Sequence, residues 1–287
     1  MHPSFSSMRR LLSALLGSLL VVACTPAQPT PIAKLSVAAS FYPLAHFAQL
    51  IGGNHVQVTQ LVPPGIEPHD YEPTPENVRT VQEADVVLYN GGEIDAWVEK
   101  TLKAMDQDIR PITKRAMDHT TARDPHVWLD PILAQDIVTD IASALIQADP
   151  DHAADYAIRK DDLLTQLKTL DAEFLSQLAS CKDQAAITAH DAFGHLAKRY
   201  ELNLIPIAGL SPDSEPSAKQ LADLTRLAKR EKVTTVFFEE LASPDLSQTL
   251  ASEIGAQTAV LHTLEGLTAE QVTAGVTYLS LMRENLA

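Results

Sequence analysis

The sequence predicts an α/β protein of two lobes, each with a mainly parallel sheet flanked by helices, joined by one long rigid helix. Two observations carry this. Short apolar runs alternate with helical patterns in two separate series, and one helical stretch between the series is longer than a βα connection needs. In the first series "LSVAAS" (35–40), "VQVTQLV" (56–62) and "DVVLYN" (85–90) read as strands, with helices starting near Pro43 and Pro75. Residues 132–148 put Leu133, Ile137, Ile141 and Leu145 on one helical stripe. From about 151 to 180, Leu163, Leu167, Leu170, Phe174 and Leu178 line one face of the predicted strut. Strands resume with "AAITA" from 185, the run from Leu202 to Ala208, "VTTVFFE" from 233 and "QTAVL" from 257. A final helical pattern carries Val272, Val276, Leu279 and Leu286. The expected lobes are 34–149 and 183–287, with 150–182 as the linking helix.

The first 23 residues place this body outside the cytoplasm. Arg9 and Arg10 precede the apolar run "LLSALLGSLLVVA", which is too short to span a bilayer comfortably and ends in small residues. "LVVAC" resembles a bacterial lipobox, in which the chain is cut before Cys24 and that cysteine is lipidated. Residues 24–33 form a proline-rich spacer between anchor and fold. The formal net charge of −15 becomes −17 when the two arginines leave with the signal, which argues against nucleic acid and suits small cations. With Cys24 committed to lipid, Cys181 stands alone. An internal disulfide and a cysteine-based zinc cluster are therefore excluded. The phosphate-binding glycine loops and the G-x-S-x-G elbow are missing, which removes the usual frames for nucleotide binding and serine hydrolysis.

Ligands of parallel sheets bind at the loops beyond the carboxyl ends of the strands. Three histidines stand there, each beside a carboxylate: His69 in "PPGIEPHDYEPTP", His126 in "DPHVWLDP" and His190 in "AAITAHDAF". A neutral imidazole is a good ligand for zinc, and a carboxylate can accept the hydrogen of its other nitrogen. Taken singly, each is more often a hydrogen-bonded structural histidine than a ligand. In "DPHVWLDP" the two Asp-Pro pairs stiffen a short loop, and Asp130 with Pro131 reads as a helix start, with Trp128 expected beneath the loop as an apolar support. His46, His55, His152 and His195 read as structural or solvated, and Gly52, Gly53, Gly91 and Gly92 as turn or helix-end glycines.

"GIEPHDYEPTPENV", "DPHVWLDP", "ITAHDAFGHLAKRYEL", "VFFEELASP" and "VLHTLEGLT", in this order after a lipobox, resemble the metal-specific solute-binding lipoproteins of bacterial ABC transporters, particularly the zinc-binding branch. The resemblance runs over essentially the whole mature chain. It implies a metal held between two lobes, with His69, His126 and His190 as the first three ligands and Glu265 as the fourth; His262 or a water is the alternative fourth ligand. It also implies delivery of the metal to a membrane permease driven by a cytoplasmic ATPase, by a monomeric, non-enzymatic, lipid-anchored receptor. Three imidazoles and one carboxylate favour Zn2+ over Mn2+ and leave no position for a reacting water. Asp70, Asp191 and Glu240 are candidates to support the ligands from behind. The long histidine-rich loop of many zinc-binding relatives is reduced here to "MDHTTARD" (117–124), with His119 as its vestige. Two other readings remain at this point: a metal-dependent hydrolase using His126 and Asp130, and a surface adhesin.

Overall fold

The computed structural model describes residues 34–106, 111–121, 123–182, 184–214 and 216–287. The predicted signal segment, the lipid-bearing Cys24 and the spacer lie outside these residues. The first sheet contains β1 (Leu35–Ala39), β2 (Val56–Gln60), β3 (Val86–Tyr89) and β4 (Ile112–Arg115), all parallel, in the order β2-β1-β3-β4. The second contains β5 (Ala185–Thr188), β6 (Asn203–Pro206), β7 (Thr235–Phe238) and β8 (Gln257–Val260), also parallel, in the order β6-β5-β7-β8. Each sheet thus places its second strand on one side of its first and its third on the other. The connections leave in opposite directions at that point, and a crevice opens beyond the carboxyl ends of the strands.

The central strands explain their own burial. Val37 and Ala39 of β1 and Val86 and Leu88 of β3 enter one apolar cluster, while Ala38 and Val87 enter another on the opposite face of the sheet. A parallel sheet covered on both faces needs apolar residues at both parities, and these strands have them. β4, "ITKR", has one apolar residue in four and occupies the edge, where Lys114 and Arg115 suit an unpaired flank. That composition is why it does not announce itself as a strand in the sequence.

Helices begin where the sequence says they should. Proline occupies the first turn of α1 (Tyr42–Gly52) and α2 (Pro75–Glu83), and Thr74 and Asn77 cap α2 reciprocally. α3 spans Ala96–Ala104. α4 (Pro131–Ala148) starts with Asp130 accepting from the Ile132 N–H at 2.8 Å, and its predicted stripe buries Ile137, Ile141 and Leu145. The long helix α5 (Ala153–Gln177) has 25 residues, about 37 Å of rise, and buries Leu163, Leu167, Leu170 and Phe174. It packs on α1 and α4. The second lobe continues with α6 (Gly194–Tyr200), α7 (Ala218–Arg230) and α8 (Asp245–Ile254).

The end of the chain departs from the predicted single helix. Gly275 adopts φ 69°, in the left-handed region that closes α9 (Ala269–Ala274), and Thr277 then caps a separate α10 (Tyr278–Glu284). The break rotates the buried face. Tyr278, Leu281 and Met282 go into the core and Val272 is exposed. The largest apolar cluster runs without interruption from β1 and α1 through α4 and α5 to Phe193, Leu264, Leu267 and Tyr278 of the second lobe.

Candidate metal centre

His69, His126, His190 and Glu265 meet beyond the carboxyl ends of β2, β4, β5 and β8, two from each lobe. One ligand-type atom from each lies within 4.8 Å of all the others. His69 sits in a single turn of 3-10 helix, Pro68–Asp70, whose start is fixed by Glu67 accepting from the His69 N–H at 3.0 Å. His126 precedes another such turn, Val127–Leu129, on the stiff loop before α4. His126 and His190 are wholly buried, and Glu265 is 1% exposed.

Hydrogen bonds at Nδ1 fix which nitrogen two of the imidazoles turn toward the cluster. His126 Nδ1 is 2.7 Å from Asp124 Oδ1, and His190 Nδ1 is 2.7 Å from Glu239 Oε1. A carboxylate accepts only, so each Nδ1 carries its hydrogen, and in the neutral imidazole each Nε2 then carries a lone pair. Those two Nε2 atoms face each other at 3.2 Å, with His69 Nε2 at 3.3 Å from that of His126. Glu265 Oε1 adds negative charge at 3.1 Å from His126 Nε2, 3.4 Å from His69 Nε2 and 3.7 Å from His190 Nε2. Four converging lone-pair donors in a dry site require positive charge between them, supplied by protons or by a metal cation.

The titration of the site expresses the same demand. Burial pulls the His190 imidazole down, but the hydrogen bond to Glu239 and the nearby Glu265 carboxylate outweigh it and hold the group up at about 10. Burial likewise opposes charge on His126, which Asp124 and Glu265 push above its ordinary value. Glu265 lies well below the usual carboxylate range: burial raises it, and the three imidazoles more than reverse that. Glu67, between the histidines and an open cavity of about 660 Å³, is driven up to about 9 by burial first and by Glu265 second.

The three carboxylates expected to support the ligands do not hydrogen-bond to their side chains. Glu240 accepts instead from His262 Nδ1 at 2.8 Å and from Gln271, Asp70 faces Asp213 beside the cavity, and Asp191 makes no hydrogen bond to a ligand histidine. Their places are taken by Glu239 and Asp124. Adjacency in sequence misleads here because successive side chains beyond a strand point to opposite faces. Counting by twos from Phe237, which packs on the central cluster, points Glu239 inward and Glu240 outward. Asp124, two residues before His126, accepts from both the backbone N–H and Nδ1 of that histidine, a local turn that the Asp-Pro signal could have revealed. His262 faces away, with Glu240 on one ring nitrogen and Glu284 at 3.3 Å from the other.

Four further histidines have partners other than the cluster. His55 and His152 stack at 3.8 Å and bond Asp155 and Asp149, His119 bonds Asp140, and His195 Nε2 lies 3.1 Å from the Asp124 carbonyl. Trp128 is buried as expected, and it also bridges the lobes: Nε1–H donates to the Thr263 carbonyl at 2.8 Å, and the Tyr278 hydroxyl donates to the Trp128 carbonyl. A second bridge runs from the Gly65 N–H to the Leu267 carbonyl at 2.8 Å.

Residues 37–287 match the family model described as the zinc-uptake complex component A, periplasmic. The chain belongs to this family. Among curated proteins the chain is similar to the high-affinity zinc uptake system protein ZnuA of Bacillus subtilis, 39% identical over 88% of this chain and 86% of that protein. The zinc-binding lipoprotein AdcA of Streptococcus pneumoniae is 36% identical over 96% of this chain, which spans only 59% of AdcA's length. Among solved structures, the metal-dependent lipoprotein YcdH of Bacillus subtilis superposes with a TM-score of 0.79 at 41% identity, covering 88% of this chain and 97% of that one. The Zn(II)-bound ZnuA-like domain of Streptococcus pneumoniae AdcA gives 0.78 at 37% identity with the same coverage. The laminin-binding protein Lmb of Streptococcus agalactiae, described as having adhesin and metal-transporting activity, gives 0.80 at 29%, again with that coverage.

Proposed function

We propose that the chain is an extracytoplasmic receptor that captures Zn2+ between its lobes, through His69, His126, His190 and Glu265, and hands it to an ABC permease powered by a cytoplasmic ATPase. The observation that carries the reading is the convergence of three Nε2 atoms and one carboxylate oxygen in a buried site, with two of the imidazoles already oriented by Asp124 and Glu239. Four such donors fill a tetrahedral shell, and the predominance of imidazole suits zinc over manganese. Zinc is the cargo. The names of the relatives above, zinc-uptake and zinc-binding proteins, support the same choice. In this reading Cys24 anchors a monomeric body to the membrane face through the spacer.

The hydrolase reading loses its second residue. Asp130 is occupied by the Ile132 N–H and by Arg199 Nε. Metal analysis of the soluble form from residue 25 onward, followed by competition between zinc and manganese, tests the receptor reading. One zinc per chain is expected. His126→Ala should weaken binding by more than the roughly 10–100-fold that the loss of an outer partner costs, with the fold retained. Unchanged affinity in that variant overturns the assignment.

A further inference from the structure

We propose that Thr263 sets the metal selectivity of the centre by leaving Glu265 only one oxygen with which to bind. This inference rests on the receptor reading above and concerns a residue outside the four ligands. Thr263 lies two residues before Glu265 on the loop after β8 and is buried. Its Oγ1–H donates to Glu265 Oε2 at 3.0 Å. The other oxygen, Oε1, is buried without a hydrogen bond and faces the three imidazole Nε2 atoms. The carboxylate is therefore divided, with one oxygen held by the threonine and one presented to the cation.

Thr263 itself cannot swing aside freely. Its carbonyl accepts the Trp128 indole N–H, so the hydroxyl is aimed from a backbone pinned to the opposite lobe. A carboxylate restricted to one oxygen completes a set of four donors with the three histidines. Zinc takes four donors readily, whereas Mn2+ favours oxygen-rich octahedral shells. A carboxylate free to offer both oxygens would raise the coordination number and narrow the difference between the two metals.

The test replaces the hydroxyl while keeping the shape, in Thr263→Val, with Thr263→Ser as the hydroxyl-bearing control and Thr263→Ala as a smaller second variant. Co2+ is the spectroscopic probe, since its visible bands are intense in tetrahedral sites and weak in five- or six-coordinate ones. Zinc against manganese competition is read on the same proteins. Wild type and Thr263→Ser should give the intense bands. Thr263→Val and Thr263→Ala should lose much of that intensity, and their preference for zinc over manganese should fall by about tenfold, at the lower end of the effect of removing an outer partner. If wild type binds zinc and the two hydroxyl-free variants keep its spectrum and selectivity, this inference falls while the receptor reading stands. A wild type that binds neither Co2+ nor Zn2+ overturns the receptor reading, and this inference with it.

Discussion

Replacing Trp128 with phenylalanine should destabilise the metal-free protein by about 3 kcal/mol. Three losses contribute. The Thr263 carbonyl, in a buried loop, loses the indole N–H that reaches it at 2.8 Å, and an orphaned buried acceptor costs roughly 1–3 kcal/mol. The edge-on contact with Phe41, ring centres 4.9 Å apart at 74°, is weakened, and such pairs are worth about 0.5–1.5 kcal/mol. The smaller ring also withdraws apolar surface from a site only 1% exposed, on the order of 1 kcal/mol. Guanidinium denaturation in the presence of a chelator measures the total. Trp97→Phe is the internal control, because the Trp97 indole N–H is buried without a partner and its loss orphans nothing. A Trp128→Phe cost below about 1 kcal/mol, or one no larger than the control's, would refute the claim that this indole ties the lobes together.

Glu239→Ala and Asp124→Ala should each lower zinc affinity by roughly 10–100-fold, read by competition with a chromophoric chelator, because each frees an imidazole whose Nδ1 is now held at 2.7 Å. Asp130→Ala removes a helix cap and the partner of Arg199; it should cost about 1–2 kcal/mol in denaturant while leaving zinc affinity nearly unchanged. His46 provides a pH signature. Burial lowers its pKa from 6.5 to about 4, so the unfolded chain takes up a proton that the folded chain refuses. The stability contributed by neutral His46 is complete above about pH 6.5 and drains away toward pH 4, by at most about 3 kcal/mol. Denaturation midpoints of His46→Gln should be flatter than wild type across that window; parallel profiles would exclude the effect.

What could be read from the sequence was what depends on local pattern. Strands with continuous apolar runs, such as Val86–Leu88, declare themselves, and a histidine placed just after such a strand is already directed toward the crevice. The proline and aspartate signals at Pro43, Pro75 and Asp130 were read from the same local grammar, and helices do start there. β4 is hidden in the sequence because an edge strand needs little apolar surface, and Gly275 ends the helix at Ala274 within an otherwise continuous pattern. The partners of the ligands were the hardest to see. Glu239 meets His190 across 49 residues and Trp128 meets Thr263 across 135, and no periodicity encodes a contact between neighbouring strands or between lobes.

The apolar cluster that runs from β1 through α5 to Tyr278 has a consequence for how the protein can be divided. Two sheets with the same strand order look like two pieces that could be expressed apart. Cutting the chain after α5 would instead strip Tyr278 and Leu281 from the surfaces of α1 and α5, and leave both fragments with a wide oily face in water. Either half alone should therefore be a sticky fragment in need of its complement, and mixing the two should restore solubility before any metal is added.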